Sequence, residues 1–307
     1  MQTKIKAIKK EISKAVVGQE SMIDGLLIGL FCEGHILVEG APGLAKTTTV
    51  KALSSALKLE FKRIQFTPDL LPSDIIGAEI YDPKNNTFKI KKDPIFTQLL
   101  LADEINRSPS KVQSALLEAM QERQVTIGDE SFELPRPFMV MATQNPLEQE
   151  GVYRLPEAQL DRFMMKLIIE YNSEDDELEI MRRIATKSSA LVTAMVSTDE
   201  LESIAKEIEK LHIDEEVEKY IVALILATRA ENKNIRYGAS PRASIDLYKA
   251  SKAHAYLAGK DFVTPVDVLS MAYAVLRHRV GLSYEARAKG VEVDEVLKSI
   301  INSVNMP

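Results

Sequence analysis

Tryptophan is absent from this chain of 307 residues, and cysteine occurs once, as Cys32. A lone cysteine excludes an intrachain disulfide framework. The four histidines, His35, His212, His254 and His278, are scattered, and no Cys/His set has zinc-ligand spacing. They read as structural or surface residues, and Cys32, on an apolar helical stretch, reads as core. No apolar run approaches the ~20 residues of a membrane span. The run from Leu26 to Cys32 stops at Glu33. The lysine-rich start, MQTKIKAIKKEISKAV, lacks the continuous apolar stretch of a signal peptide. Its Ile5, Ile8, Ile12 and Ala15 instead predict a surface helix with one buried stripe. A positive excess is missing too. The net charge is −6, which argues against a general nucleic-acid binder. Together these absences lead us to expect a cytoplasmic protein in a reducing compartment.

What is present is ordinary for a globular chain: 45% apolar and 27% charged residues, over a length that suits two domains. The charge is unevenly placed. Residues 171–220 hold 14 acidic and 6 basic residues, beginning at Glu174-Asp175-Asp176-Glu177. Before that zone, short apolar strands alternate with helical patterns. HILVE (35–39), KRIQF (62–66), QLLLAD (98–103), FMVMAT (138–143) and MMKLII (164–169) predict a parallel sheet covered on both faces. Val112, Ala115, Leu116, Ala119 and Met120 mark a helix between the third and fourth. Residues 78–90 and 124–135 read as hairpins, the latter turning at Gly128-Asp129. After a linker over 186–198, strand signals fade and helices follow one another. Ser240-Pro241 and Thr264-Pro265 are cap and first-turn pairs. The expected layout is an α/β domain over 1–190 and an all-helical domain over 191–307.

Four constellations in this frame carry chemistry, and a fifth belongs to the helical part. Gly40-Ala41-Pro42-Gly43-Leu44-Ala45-Lys46-Thr47 lies between a strand and a helix. Glycines let backbone N–H groups converge on phosphates, lysine reaches the β- and γ-phosphates, and the Thr47 hydroxyl suits Mg²⁺. The strict pattern asks for glycine where Ala45 stands, and a plain strand-to-helix turn would account for the same residues. Asp103 and Glu104 end a buried strand. Such carboxylates can hold Mg²⁺ through water and polarise an attacking water, or simply end the strand. Asn145, before Pro146, could orient that water or only form a turn. Arg162, between Asp161 and Phe163, fits a surface ion pair or an arginine finger in a ring. Arg242 follows the Ser240-Pro241 cap, and helix opening alone does not explain it.

In sequence order, GAPGLAKT, LLLADEINR, SALLEAMQERQV, ATQNPLEQEG, LPEAQLDRF, GASPRA and VLRHRV resemble the signatures of the MoxR family of AAA+ ATPases. The resemblance runs from Val17-Gly18-Gln19 to about residue 280, and alanine before the loop lysine is common in that family. It implies an AAA+ P-loop core plus a small all-α lid, with ATP and Mg²⁺ as cofactors. It implies nucleotide contacts from Val17, Gly18 and residues 40–48, namely Gly40, Ala41, Pro42, Gly43, Leu44, Ala45, Lys46, Thr47 and Thr48. Thr47 and Asp103 then serve the metal, and Glu104 is the base. Asn145 is the first sensor, Arg162 the finger, and Arg242 a second sensor folding back onto the phosphates. The implied activity is chaperone-like remodelling by a ring, a hexamer, acting on a von Willebrand factor A-domain protein. A motor subunit of a metal-chelatase complex is the alternative. The hairpin over 78–90 matches the family's helix-2 insert, although Lys92-Asp93-Pro94 replaces the usual Gly-Pro turn. Lys84, Lys89, Lys91 and Lys92 read either as protection of a strand edge or as a positive field for an acidic partner.

Overall fold

The computed structural model describes residues 2–145, 153–185 and 191–307. Its centre is a parallel sheet of five strands: β1 (Ile36–Gly40), β2 (Phe61–Gln65), β5 (Leu99–Asp103), β8 (Met139–Gln144) and β9 (Met165–Ile169). Their spatial order is β2-β5-β8-β1-β9. The register sets Leu37 beside Ala142 and Lys166, and Leu101 beside Met141. Each boundary falls within a residue of the apolar run that predicted it.

Alternation along the strands builds two cores. Ile36, Val38, Leu99, Leu101, Met139 and Met141 face one way, onto α1 (Gln2–Ile12), α2 (Glu20–Phe31) and α3 (Lys46–Ala56). Leu37, Leu100, Ala102, Val140 and Ala142 face the other, onto α5 (Ser110–Glu122). A side-chain period of two, with helices on both faces, requires apolar residues at every position of a central strand. Ile5, Ile8 and Ile12 are buried, so the N-terminal stripe packs as its spacing predicts.

The short helix α4 (Ser73–Ile76) leads into the insert hairpin, β3 (Ala78–Asp82) paired with β4 (Thr87–Lys91). The second hairpin pairs β6 (Gln124–Ile127) with β7 (Glu130–Glu133). The insert lysines are answered locally. Lys89 meets Asp82 at 2.5 Å, and Lys91 meets Asp93 at 3.1 Å. Lys92 lies over the rings of Phe96 and Phe132, at 4.8 and 4.3 Å. This local pairing reduces the positive field that is one of the two readings of these lysines. Asp82 and Asp93, just outside the counted window, offset two of the four charges.

A single turn, α6 (Glu157–Leu160), precedes β9, and α7 (Glu174–Ala185) carries the acidic start. The second half then holds α8 (Thr198–Lys210), α9 (Glu215–Arg229), α10 (Pro241–Leu257), α11 (Pro265–Leu276), α12 (Tyr284–Ala288) and α13 (Val293–Ser303). Ser240 caps α10 through its hydroxyl, with Pro241 in the first turn. One detail departs from an all-helical reading. β10 (Ile235–Tyr237) and β11 (Gly281–Leu282) form a small antiparallel ribbon. Part of the expected linker, 186–190, lies outside the described residues. The rest is pinned to the first half: the Met195 N–H donates to the Ala56 carbonyl at 2.7 Å.

A buried side chain is among the contacts that tie the two halves together. Arg279, just past α11, is 1% exposed. It donates to Asp161 at 2.9 Å, to Asp246 of α10 at 2.5 Å and to the Phe163 carbonyl at 2.8 Å. Ser240 donates to the same Asp161 at 2.9 Å.

Candidate functional site

The glycine-rich loop leaves β1 at its C-terminal end and enters α3, so the first N–H groups of α3 point into the loop. Gly40 is dictated by packing: a Cβ there would lie 3.0 Å from the Ile169 Cβ and carbonyl. Gly43 sits at φ +86°, and no atom lies within 4 Å of where its Cβ would be. Ala45 has φ 53°, the left-handed region that favours glycine. This explains why the strict loop pattern asks for glycine there. Alanine carries the same turn at a cost of roughly 1–2 kcal/mol.

The Lys46 ammonium reaches back to the Gly40 and Ala41 carbonyls, at 2.8 and 3.3 Å. Burial pulls its pKa below the ordinary value, against the raising influence of Asp103 and Glu104. All three groups line one cavity of about 400 Å³, together with residues 42–48, Arg63, Gln65, Thr143 and Asn145. The loop, the Asp-Glu pair and the asparagine, remote in sequence, are thus brought together. Parallel strands cause this, because their C-terminal ends all open on one side.

The carboxylates are held in place. Asp103 accepts from Arg63 at 2.6 Å and from the Thr143 hydroxyl at 2.6 Å. The Glu104 backbone N–H donates to that hydroxyl at 2.8 Å. The Glu104 carboxylate accepts from Gln65 at 2.7 Å and Arg107 at 3.0 Å. Its backbone lies at φ 57°, a conformation that costs a non-glycine residue of order 1 kcal/mol and places the side chain off the strand end. Arg63, Gln65, Arg107 and Thr143 were not singled out from sequence. The available signal was the polar alternation of KRIQF, where Arg63 and Gln65 share one face of β2.

Other expected residues lie elsewhere. Gly18 borders a different cavity, beside Lys9, Ser13 and Asp24, and a Cβ on it would meet Asn172 at 2.9 Å. Val17 is buried and does not line the loop cavity. Arg162 and Arg242 line a third cavity of about 310 Å³, with His35, Arg123 and Asp246. The Arg242 guanidinium lies 3.4 Å from the Asp161 carboxylate. In this arrangement Arg242 does not line the loop cavity, where a second sensor would meet the phosphates. Helix α10 packs on α2 and begins beside Asp161. Segment 146–152, part of the ATQNPLEQEG signature, lies outside the described residues.

The oxygen donors suit a hard cation. The Thr47 hydroxyl and the Asp103 carboxylate could hold Mg²⁺ together with phosphate oxygens and water. The space over Gly43 is the kind of cradle a phosphate fills. Among the described residues, no cluster of three or more His, Cys, Asp or Glu forms a separate metal site.

Comparison with known proteins agrees with this geometry. Residues 35–165 match the family model for the ATPase family associated with various cellular activities (AAA), and 226–300 match the AAA lid domain. Chaperone MoxR1 of Mycobacterium tuberculosis is 41% identical over 97% of this chain and 81% of its own length. The chain belongs to the MoxR family of AAA+ ATPases. Protein MoxR of Methylorubrum extorquens is a more distant relative, 28% identical over 97% of this chain and 94% of its own. A crystal structure from Cytophaga hutchinsonii superposes with a TM-score of 0.94 at 50% identity, covering 100% of this chain and 96% of that one. The cavity around Lys46 lies within the MoxR-type core, and the lid model covers the helices that follow. Among the described residues, no helix is long and apolar enough to cross a membrane.

Proposed function

We propose that this chain is a Mg²⁺-dependent ATPase that works as a ring and remodels protein partners in the cytoplasm. The observation that carries the proposal is a division of labour. Lys46, Thr47, Asp103, Glu104 and Asn145 border one cavity, whereas Arg162 and Arg242 border another. A phosphoryl-transfer site needs cations on the transferred group as well as a base. Two arginines remote from their own loop are available to a neighbour's nucleotide, so the complete site lies between subunits. Closed rings arise from such head-to-tail contacts, and a hexamer is the size the family resemblance suggests.

In this reading the loop N–H groups and Lys46 bind the phosphates, and Thr47 and Asp103 hold the metal. Bound Mg²⁺ would neutralise charge on the β- and γ-phosphates. Glu104 takes a proton from the attacking water, and Asn145 orients that water. Residues 1–190 form the nucleotide-binding domain and 191–307 the lid. Val17 and Gly18 supply further nucleotide contacts, as the family resemblance suggests. The chaperone name of the Mycobacterium tuberculosis relative supports a protein client. The family resemblance suggests a von Willebrand factor A-domain protein.

The test is affinity capture with Glu104→Gln in the presence of ATP and Mg²⁺, combined with sizing of the same sample. A nucleotide-dependent ring holding a protein is the expected outcome. A monomer that hydrolyses ATP at full rate at any dilution would refute the shared site.

A further inference from the structure

Helix α7 carries an outer face that nothing in its own chain covers. It has 12 residues, and none of its described side chains is buried. Its inner face lies on the N-terminal segment. Arg183 donates to the Ser13 and Lys14 carbonyls at 2.9 and 3.0 Å, and a Cβ on Gly18 would lie 3.1 Å from the Asp176 carboxylate. Glu174, Leu178 and Met181, at i, i+4 and i+7, share the outer face with Glu177. Leu178 is 38% exposed and Met181 59%. A helix of this length is marginal in water by itself, and packing of an apolar face is what usually stabilises it.

A groove of about 400 Å³ between the end of α2, α8 and α10 has the complementary character. Buried Phe31 and Ile208 line it, with Ile245, 56% exposed, at its edge. Arg242, Ile245 and Lys249, at i, i+3 and i+7, form one exposed stripe of α10. Lys252 also lines the groove, its ammonium 2.8 Å from the Glu209 carbonyl. Of the carboxylates nearby, Glu33 is paired with Arg123 and Asp246 with Arg279, which leaves Glu209 against these cations. The groove is basic and apolar where α7 is acidic and apolar.

Position decides which molecule carries the partner helix. The groove shares Cys32, Glu33, Ile245 and Lys249 with the cavity that holds Arg162 and Arg242. That cavity lies at the N-terminal ends of the strands, beside His35 before β1 and Met164 before β9. The nucleotide loop and α7 leave the C-terminal ends: Ile169 packs on Gly40, and α7 begins five residues later. The two surfaces thus belong to opposite ends of one sheet. A head-to-tail contact that brings Arg162 and Arg242 to a neighbour's loop sets the groove against the end of the neighbour that carries α7.

We propose that the outer face of α7 docks in this groove of the next copy of the chain. Leu178 and Met181 pack on Ile245, and the acidic start of α7 meets Lys249 and Lys252. The contact rests on the ring reading above and supplies its apolar part, beside the two arginines.

The test is sedimentation velocity of the full chain with ATP and Mg²⁺ in the Glu104→Gln background, together with a cross-link. Met181→Asp and Ile245→Asp, both at exposed positions, should each weaken self-association about tenfold or more, the loss expected when one large apolar side chain is no longer buried. Lys249→Glu should weaken it as well, and so should Glu174→Lys/Glu177→Lys. Combined in one chain, the opposite charge reversals should recover part of the loss, which general damage to the fold would not do. With Cys32→Ser throughout, chains carrying Met181→Cys mixed with chains carrying Ile245→Cys should join through a short bismaleimide. Association that survives every change, with no cross-link, would overturn the docking and leave the ring standing. No association with any nucleotide would refute the ring and this contact with it. Unchanged association but lost capture of a protein client in Ile245→Asp would give the groove to another protein and overturn the proposal.

Discussion

Gln65 Nε2 donates to the Glu104 carboxylate at 2.7 Å, from the strand two positions away in the sheet from the loop strand's neighbour. Arg107 holds the same oxygen from the other side at 3.0 Å. The proposed base is therefore tied down, and it must turn to reach a water. Gln65→Leu removes one restraint. We expect basal ATP turnover to rise a few-fold, with ATP affinity unchanged, because no phosphate contact is lost. Steady-state turnover and nucleotide titration measure the two effects separately. A fall in turnover would mean that Gln65 orients the base productively.

Lys46→Ala should lose nucleotide binding, since the loop then has no cation on the phosphates. Glu104→Gln should bind ATP normally and turn it over about 10²–10⁴-fold more slowly, the usual contribution of a positioned general base. Fluorescent-nucleotide binding and phosphate release distinguish the two. Normal binding by the lysine variant would sink the loop assignment.

Arg162→Ala and Arg242→Ala should each bind ATP yet lose most turnover; arginine fingers contribute on the order of 10³–10⁵ where tested. Mixing Arg162→Ala with Glu104→Gln subunits should restore part of the activity, because an intact site can then face an intact arginine. Wild-type turnover per chain should fall on dilution. If the mixture is no better than its components, the two arginines do not act across an interface.

Arg279 is a matter of stability. Its guanidinium is buried between Asp161 and Asp246, so Arg279→Ala leaves two carboxylates without their main partner. Breaking a buried pair in this way costs about 3–5 kcal/mol. Urea unfolding should show a loss of that size, and Arg242→Ala, at an exposed position, should show far less. Equal small losses would mean that the lock between the halves lies elsewhere.

Stability should fall with acid below pH ~6.5. Burial lowers the His35 pKa to about 4, and it lowers His278 well below its ordinary value. Between pH 6.5 and 4 the unfolded chain takes up these protons while the folded chain does not. Each histidine then removes up to about 1.4 kcal/mol per pH unit. Above pH ~6.5 both are neutral in either state and contribute no slope. Denaturant midpoints at pH 7.5, 6.5 and 5.5 check the sign. A midpoint that holds from 6.5 to 5.5 would contradict the burial of the two rings.

Local order determined much of this protein. The five strands were legible because buried parallel strands need continuous apolar runs. The loop at 40–47 was legible because its chemistry is contiguous in sequence, and the caps at Ser240 and Thr264 because capping acts over a few residues. Tertiary structure decided the rest, because it joins residues that no spacing rule connects. Gln65 reaches Glu104 only because β2 and β5 pair in register. Two aspartates outside a counting window offset two of the four insert lysines. Arg242 lies beside Asp161, a neighbour 81 positions away in sequence. Likewise, His278 looked like one more scattered histidine until packing buried it with one nitrogen satisfied and the other bare. Burial and charge balance are sums over neighbours in space, and sequence order fixes those neighbours only through the fold.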